Sequence, residues 1–104
     1  MPRVPRWTSG HARLDKARPV LVLTRELVRP YLTRVTVAPI TTTVRGLSTE
    51  VPLGPANGLE HDCVVSCDDI VTVPKSALGR QIGYLLPAQE ARLTAAIHAA
   101  FDLD

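Results

Sequence analysis

Arginine dominates the ionisable side chains of the amino-terminal half. Residues 1–49 carry nine Lys or Arg (Arg3, Arg6, Arg13, Lys16, Arg18, Arg25, Arg29, Arg34, Arg45) against Asp15 and Glu26, a net +7, whereas the remainder carries three bases against eight acids, a net −5. Such asymmetry points to one face that meets a polyanion. Ten of the twelve bases are Arg, whose planar fork matches phosphate oxygens; the competing reading is that these charges only solvate strand ends. Thr41-Thr42-Thr43 with Arg45 sets small hydroxyls beside a cation, although a threonine triplet is also ordinary turn and strand-edge composition. His11, His61 and His98 titrate nearest neutral pH and are the usual proton carriers. His98 reads as a helix surface or boundary residue, and His61, within Glu60-His61-Asp62, as a solvated loop residue. His11, close in sequence to Arg18, stays open as a participant. Cys63 and Cys67 are the only cysteines. If a strand joins them, their Cα atoms lie ~13 Å apart, beyond disulfide reach, and no His stands at a ligand spacing, so they read as reduced, partly buried thiols rather than a metal site.

A chain of 104 residues suits one domain, because a second core would leave each half too small to hold itself together. Hydrophobic residues make up 45% and charged residues 21%, a globular composition, with only 4% aromatic. The core must then come from Val, Leu, Ile and Ala, which favours β-branched strands. No apolar run approaches the ~18–20 residues needed to cross a bilayer, and Met1-Pro2-Arg3-Val4-Pro5-Arg6-Trp7 lacks the apolar middle of a signal peptide. The expectation is a cytoplasmic protein that does not engage a membrane.

These residues need a frame, and the pattern supplies one that is mainly β. Arg18-Pro19-Val20-Leu21-Val22-Leu23-Thr24 is a continuous apolar run too short for a helix, so it reads as a strand buried on both faces at the centre of the sheet. Arg25 to Arg29 has room for one helical turn before Pro30 stops it. Thr33 to Ala38 alternates, Val35 and Val37 on one face and Arg34 and Thr36 on the other, until Pro39 is expected to end regular pairing. Residues 41–47 look like a loop, Ser48 to Leu53 a short edge strand, and Gly54-Pro55-Ala56-Asn57-Gly58 a turn. Strands follow at Asp62–Ser66, Ile70–Val73 and Arg80–Leu85, with a helical turn at Lys75–Leu78. That makes about six short strands. From Pro87, a favoured first helical residue, Leu93, Ala96, Ile97, Ala100 and Phe101 fall on one face of a helix extending towards Leu103.

Several blocks in order resemble one family. Arg18-Pro19-Val20-Leu21-Val22-Leu23, then Val37-Ala38-Pro39-Ile40-Thr41-Thr42, then Glu50-Val51-Pro52-Leu53, then Cys63 to Val73 and Gly83-Tyr84-Leu85-Leu86-Pro87 are similar, in sequence and spacing, to the successive blocks of the MazF/PemK toxins of type II toxin–antitoxin systems, in their mycobacterial-type form. The likeness covers about residues 10–103. Residues 1–9, with Trp7, match no block and are expected to be an extension ahead of a toxin domain at 10–104. The resemblance implies an SH3-like small barrel with a carboxy-terminal helix, usually a homodimer, binding single-stranded RNA in a shared groove and blocked by a cognate MazE-like antitoxin. It also implies sequence-specific endoribonuclease activity on messenger RNA, with ribosomal or transfer RNA as further targets, inhibiting translation and growth. Cleavage would proceed by attack of a ribose 2′-hydroxyl on the adjacent phosphate, with no metal and no cofactor.

That chemistry needs acceptance of the 2′-OH proton, stabilisation of a phosphorane and protonation of the leaving oxygen. Arg18 matches the family's catalytic arginine, and its fixed charge and forked donors suit a doubly anionic phosphorane; as a group that stays protonated it is poorly suited to act as base. Thr41 matches the catalytic hydroxyl. Lys16, Thr42, Thr43, Arg45 and His11 are the candidate RNA-binding residues around them. One departure is the connection before Arg18, where many relatives have a long Gly- and Glu-containing loop and this chain has only Leu14-Asp15-Lys16-Ala17. Two other functions share the fold's prospects: a CcdB-like, non-enzymatic gyrase poison, and an inactive module that binds an antitoxin. The first acts through a terminal Trp-containing tail, whereas this chain ends Phe101-Asp102-Leu103-Asp104.

Overall fold

The computed structural model describes residues 7–10, 18–24 and 31–102, with backbone alone at 7–10, 18 and 79–82. Among the described residues, seven strands and one α-helix follow in the order β1 (Trp7–Gly10), β2 (Arg18–Val22), β3 (Arg34–Thr41), β4 (Glu50–Leu53), β5 (Cys63–Ser66), β6 (Val71–Pro74), β7 (Leu78–Gly83) and α1 (Pro87–Ala100). All pairings are antiparallel. The sheet order is β4-β5-β3-β2-β1-β7, with β6 also on β3. The expected class, mostly β with a terminal helix, is what is found. The ladder is open, however, running from β4 at one end to β7 at the other, so among the described residues the expected barrel does not close.

β2 occupies the middle as its apolar run requires, between β1 and β3. Leu21 is fully buried in the larger core cluster, while Val20 and Val22 belong to a second cluster with Val35 and Val37. Burial on both faces explains why this segment shows no polar alternation. β3 does alternate, but it runs on through Pro39 to Thr41. Pro39 still faces Val20 in the ladder with β2. Along its other edge β3 changes partner here, from β6 at residues 34–37 to β5 at residues 40–41, and a missing N–H disturbs pairing least at such a break. β5 and β6 thus lie along one edge of β3, separated by the 3-10 turn Cys67–Asp69.

Two expected boundaries move. The seventh strand is β1: Trp7 pairs with Leu21, Thr8 with Val20 and Ser9 with Pro19, so a division between residues 9 and 10 would fall inside a strand. Alternation is too short there for periodicity to mark it, and its pairing with β7 shifts register twice. The helix ends at Ala100, and only Leu93 and Ala96 are fully buried, with Ile97 and Ala100 packed at the margin. Phe101, expected on the apolar stripe, is 56% exposed at the C-cap, beyond the last turn that faces the sheet.

The helix is fixed by a polar clasp. Asn57, 2% exposed, donates from Nδ2 to Tyr84 O (2.9 Å) and Gln89 Oε1 (2.6 Å), and accepts at Oδ1 from Gly54 N (3.1 Å) and Gln89 Nε2 (3.0 Å). Gln89 Oε1 also accepts the Leu86 N–H at 2.8 Å, occupying one of the otherwise unpaired donors at the helix start. A buried carboxamide is tolerated only when so satisfied. No helix of the described residues is long and apolar enough to cross a membrane.

Candidate functional site

Period-2 alternation decides what the end of β3 presents. Ile40 points into the core, 5% exposed, while Pro39 and Thr41 share the opposite face. There they line a cleft of about 280 Å³ whose other walls are Thr43, Arg45, Glu50, Ser66 and Asp69. Three of the sequence candidates, Thr41, Thr43 and Arg45, are thus brought together. Thr42, exposed on the bend after β3, is not among the lining residues. Thr41 belongs to the strand and not to the loop expected from residue 41 onwards. Its Oγ1 accepts the Thr43 N–H at 3.1 Å, a turn that folds Thr43 back beside it.

Arg18 begins β2, where it pairs with Gly10. The β2–β3 ladder couples Val22 with Val37, Leu21 with Ala38 and Val20 with Pro39. Two residues further along each strand in the same antiparallel count stand position 18 and position 41, so the backbone register carries both catalytic candidates to one end of the β2–β3 pair. His11 and Lys16 lie outside the described residues.

Glu50 was not singled out from sequence, yet it organises this region. Its side chain sits at the first position of β4, 5% exposed. The carboxylate accepts from three consecutive backbone N–H groups: Arg45 (3.2 Å to Oε1 and 3.1 Å to Oε2), Gly46 (2.9 Å) and Leu47 (3.2 Å). A run of N–H groups converging on one anion is a nest, and Gly46, with φ +76°, supplies the left-handed residue that such a curl needs. The Leu47 carbonyl in turn accepts the Glu50 N–H at 3.1 Å. The signal was a Gly between Arg45 and Glu50, legible only once the loop is known to fold back on the strand that follows it.

The far wall is formed by Ser66 and Asp69. Ser66 Oγ donates to Asp69 Oδ2 at 2.9 Å, and outside the cleft Thr49 Oγ1 donates to the neighbouring Asp68 Oδ2 at 2.6 Å. The sequence reads Ser66 and Asp69 as part of a strand pair and does not mark their place at the cleft; the interruption at Cys67–Asp69 turns them there. The other titratable candidates stand apart. His61 is exposed, 3.9 Å from Glu60 Oε1, and His98 is exposed on α1, both in keeping with the solvated readings. Cys63 and Cys67 are free and buried. Burial, with a smaller contribution from Asp62, pushes the Cys63 thiol up; burial and then Asp68, against an opposing pull from Arg92, push Cys67 up to about 11. Both therefore stay as thiols, poor nucleophiles and poor metal ligands.

Comparisons with known proteins agree in direction. Residues 5–101 match the model of the PemK-like, MazF-like toxins of type II toxin–antitoxin systems. Over 93 residues, 89% of this chain and 90% of the relative, the sequence is 69% identical to endoribonuclease MazF3 of Mycobacterium tuberculosis. Among solved structures, the Mycobacterium tuberculosis toxin MazF-mt6 superposes with a TM-score of 0.89 at 64% identity, covering 95% of this chain and 98% of that one. An endoribonuclease in complex with its cognate antitoxin, from a mycobacterial species, superposes with a TM-score of 0.83 at 26% identity over 100% of this chain and 98% of that one. With a match across nearly its whole length, the chain belongs to the PemK-like, MazF-like family of type II toxins.

Proposed function

We propose that this toxin is a sequence-specific, metal-independent endoribonuclease that cuts single-stranded RNA and thereby stops translation and growth. The observation that carries the proposal is the gathering of Thr41, Thr43 and Arg45 around one cleft at the end of β3; position 18 stands on β2 two residues beyond the Val20–Pro39 pair. Its relatives bear the name endoribonuclease, which supports the same reading.

In the proposed reaction the ribose 2′-oxygen attacks the adjacent phosphorus and loses its proton. The bond from phosphorus to the 5′-oxygen breaks, and that oxygen takes up a proton, leaving a cyclic phosphate and a free 5′-hydroxyl. Arg18 supplies a fixed positive charge and forked donors to the phosphorane, where charge is greatest. The Thr41 hydroxyl donates to a phosphate oxygen. Arg45, exposed at the cleft edge, holds a neighbouring phosphate, flanked by Thr42 and Thr43; Lys16 and His11 are the further residues proposed to contact RNA. Asp69 on the far wall repels a phosphate, so the backbone of the RNA runs along the Arg45 side.

The partners proposed with this activity are a second copy of the chain, sharing the groove, and a MazE-like antitoxin. An acidic, partly disordered antitoxin tail would lie over the basic half and fold as it binds. That one structural relative is solved with its cognate antitoxin supports this, as does the +7 balance of residues 1–49. The cytoplasm is the compartment where RNA and antitoxin are both met.

One experiment tests the reading. Total RNA is incubated with purified protein in EDTA and the new 5′-hydroxyl ends are mapped; the expected result is a set of discrete ends sharing a short motif. Folded protein that leaves every transcript intact overturns it.

A further inference from the structure

We infer that Glu50 is a positioning residue for RNA binding: its buried carboxylate, grasped by the N–H groups of Arg45, Gly46 and Leu47, sets the loop that presents Arg45 and Thr43 to the cleft. The inference rests on the endoribonuclease reading above and deepens it. Three observations carry it. Glu50 is 5% exposed and lines the cleft, yet four hydrogen-bond contacts of 2.9–3.2 Å take both of its oxygens inward to the loop backbone. With both oxygens engaged by the loop backbone, the carboxylate does its work through the loop. Second, residues 42–47 form no strand and their side chains are exposed, so the Arg45–Leu47 backbone is curled by its bonds to Glu50, the carboxylate contacts and the Leu47 carbonyl's bond to the Glu50 N–H. Third, Gly46 has φ +76° and nothing within 4 Å of where a Cβ would stand, so its conformation answers to the carboxylate and not to packing.

Arg45 contributes its main-chain N–H to the nest and its guanidinium to the RNA. The same residue is therefore fixed at one end by Glu50 and free to engage phosphate at the other. Loosening the nest adds conformations that the loop must surrender on binding, which weakens affinity and leaves the chemistry at Arg18 and Thr41 in place.

The test compares the parent, Glu50→Gln and Gly46→Ala on a minimal RNA substrate, together with amide hydrogen exchange at residues 45–47 in the absence of RNA. Gly46→Ala disturbs the curl from the solvent side and leaves the buried carboxylate untouched, so it answers the question even if Glu50→Gln folds poorly. Both variants are expected to lose exchange protection at residues 45–47, and to raise KM ~10-fold, the scale of one charge-assisted contact, with kcat within about threefold of the parent. A merely structural Glu50 would instead lower kcat with the folded fraction and leave KM unchanged. KM equal to the parent's in folded Gly46→Ala, or intact protection at residues 45–47 in Glu50→Gln, overturns the inference while the parent still cuts. A parent that cuts no RNA removes the function proposed above, and this inference with it.

Discussion

Asn57 and Gln89 meet as paired carboxamides, each donating one hydrogen bond to the other, at 2.6 Å and 3.0 Å. The pair joins the turn after β4 to the first turn of α1, with Tyr84 and Pro52 carbonyls as further acceptors. Removing Gln89 takes one acceptor and one donor from the buried Asn57 carboxamide, which keeps its bonds to Tyr84 O and Gly54 N, at a cost of about 1–3 kcal/mol. Asn57→Ala and Gln89→Ala are each expected to lower the thermal midpoint, and the double substitution to cost less than the sum of the two. Denaturant titration of the three variants checks this; additive losses would show that the amides act separately.

In the proposed mechanism cleavage depends first on Arg18. Arg18→Ala is expected to lose roughly 10²-fold or more in turnover, as for removal of a donor that meets developing charge. The measurement is single-turnover cleavage by purified variant, and a rate equal to the parent's would show that the arginine at the start of β2 is not at the reacting phosphate.

The Thr41 hydroxyl is given two tasks, which Ser retains and Ala removes together. Its Oγ1 accepts from Thr43 N, and in the proposed mechanism its hydroxyl donates to phosphate. Thr41→Ser keeps both groups and is expected to stay within about threefold of the parent, whereas Thr41→Ala is expected to lose about tenfold or more. Equal activities in the two variants would show that cleavage does not need the Thr41 hydroxyl.

High pH should weaken the fold through Cys67. Its folded pKa is pushed up to about 11 from an ordinary 9.0 by burial and Asp68. Below 9 the thiol is protonated in both states and contributes no pH dependence. Between 9 and about 11 the unfolded chain releases a proton that the folded chain retains, so stability falls as pH rises through that window. Unfolding midpoints measured from pH 8 to 11 should decline less steeply in Cys67→Ala than in the parent.

At the helix, the difference between the periodic pattern and the packing gives a contrast. Leu93, 3% exposed, should cost ~2–4 kcal/mol when replaced by Ala. Phe101→Ala, at an exposed C-cap, should stay within ~0.5 kcal/mol of the parent. Urea unfolding of the two variants decides it.

What could be read in advance followed the strength of each local signal. β2 was plain because an uninterrupted Val and Leu run leaves few alternatives to a doubly buried strand, and Pro87 marked its helix start because proline suits that position. Pro39 misled: proline argues against a strand interior, and only the change of partner from β6 to β5 lets β3 continue through it. The cleft was legible in part. Thr41, Thr43 and Arg45 lie close in sequence and meet in space, whereas Ser66 and Asp69 arrive from across the sheet. Glu50 stayed hidden because its partners are backbone N–H groups, which carry no residue type for a pattern to detect.

The long third strand has one more consequence. Because β3 is gripped by β2 along one edge and by β5 and β6 along the other, the threonine at its tip and the serine and aspartate opposite are bolted to a common beam. Among the described residues of the cleft, the short arc from Thr42 to Leu47 lies outside the strands and is tied to them through Glu50. Adaptation to a different RNA word is then cheapest in that arc, where residues can be exchanged like the bit of a tool without rebuilding the handle.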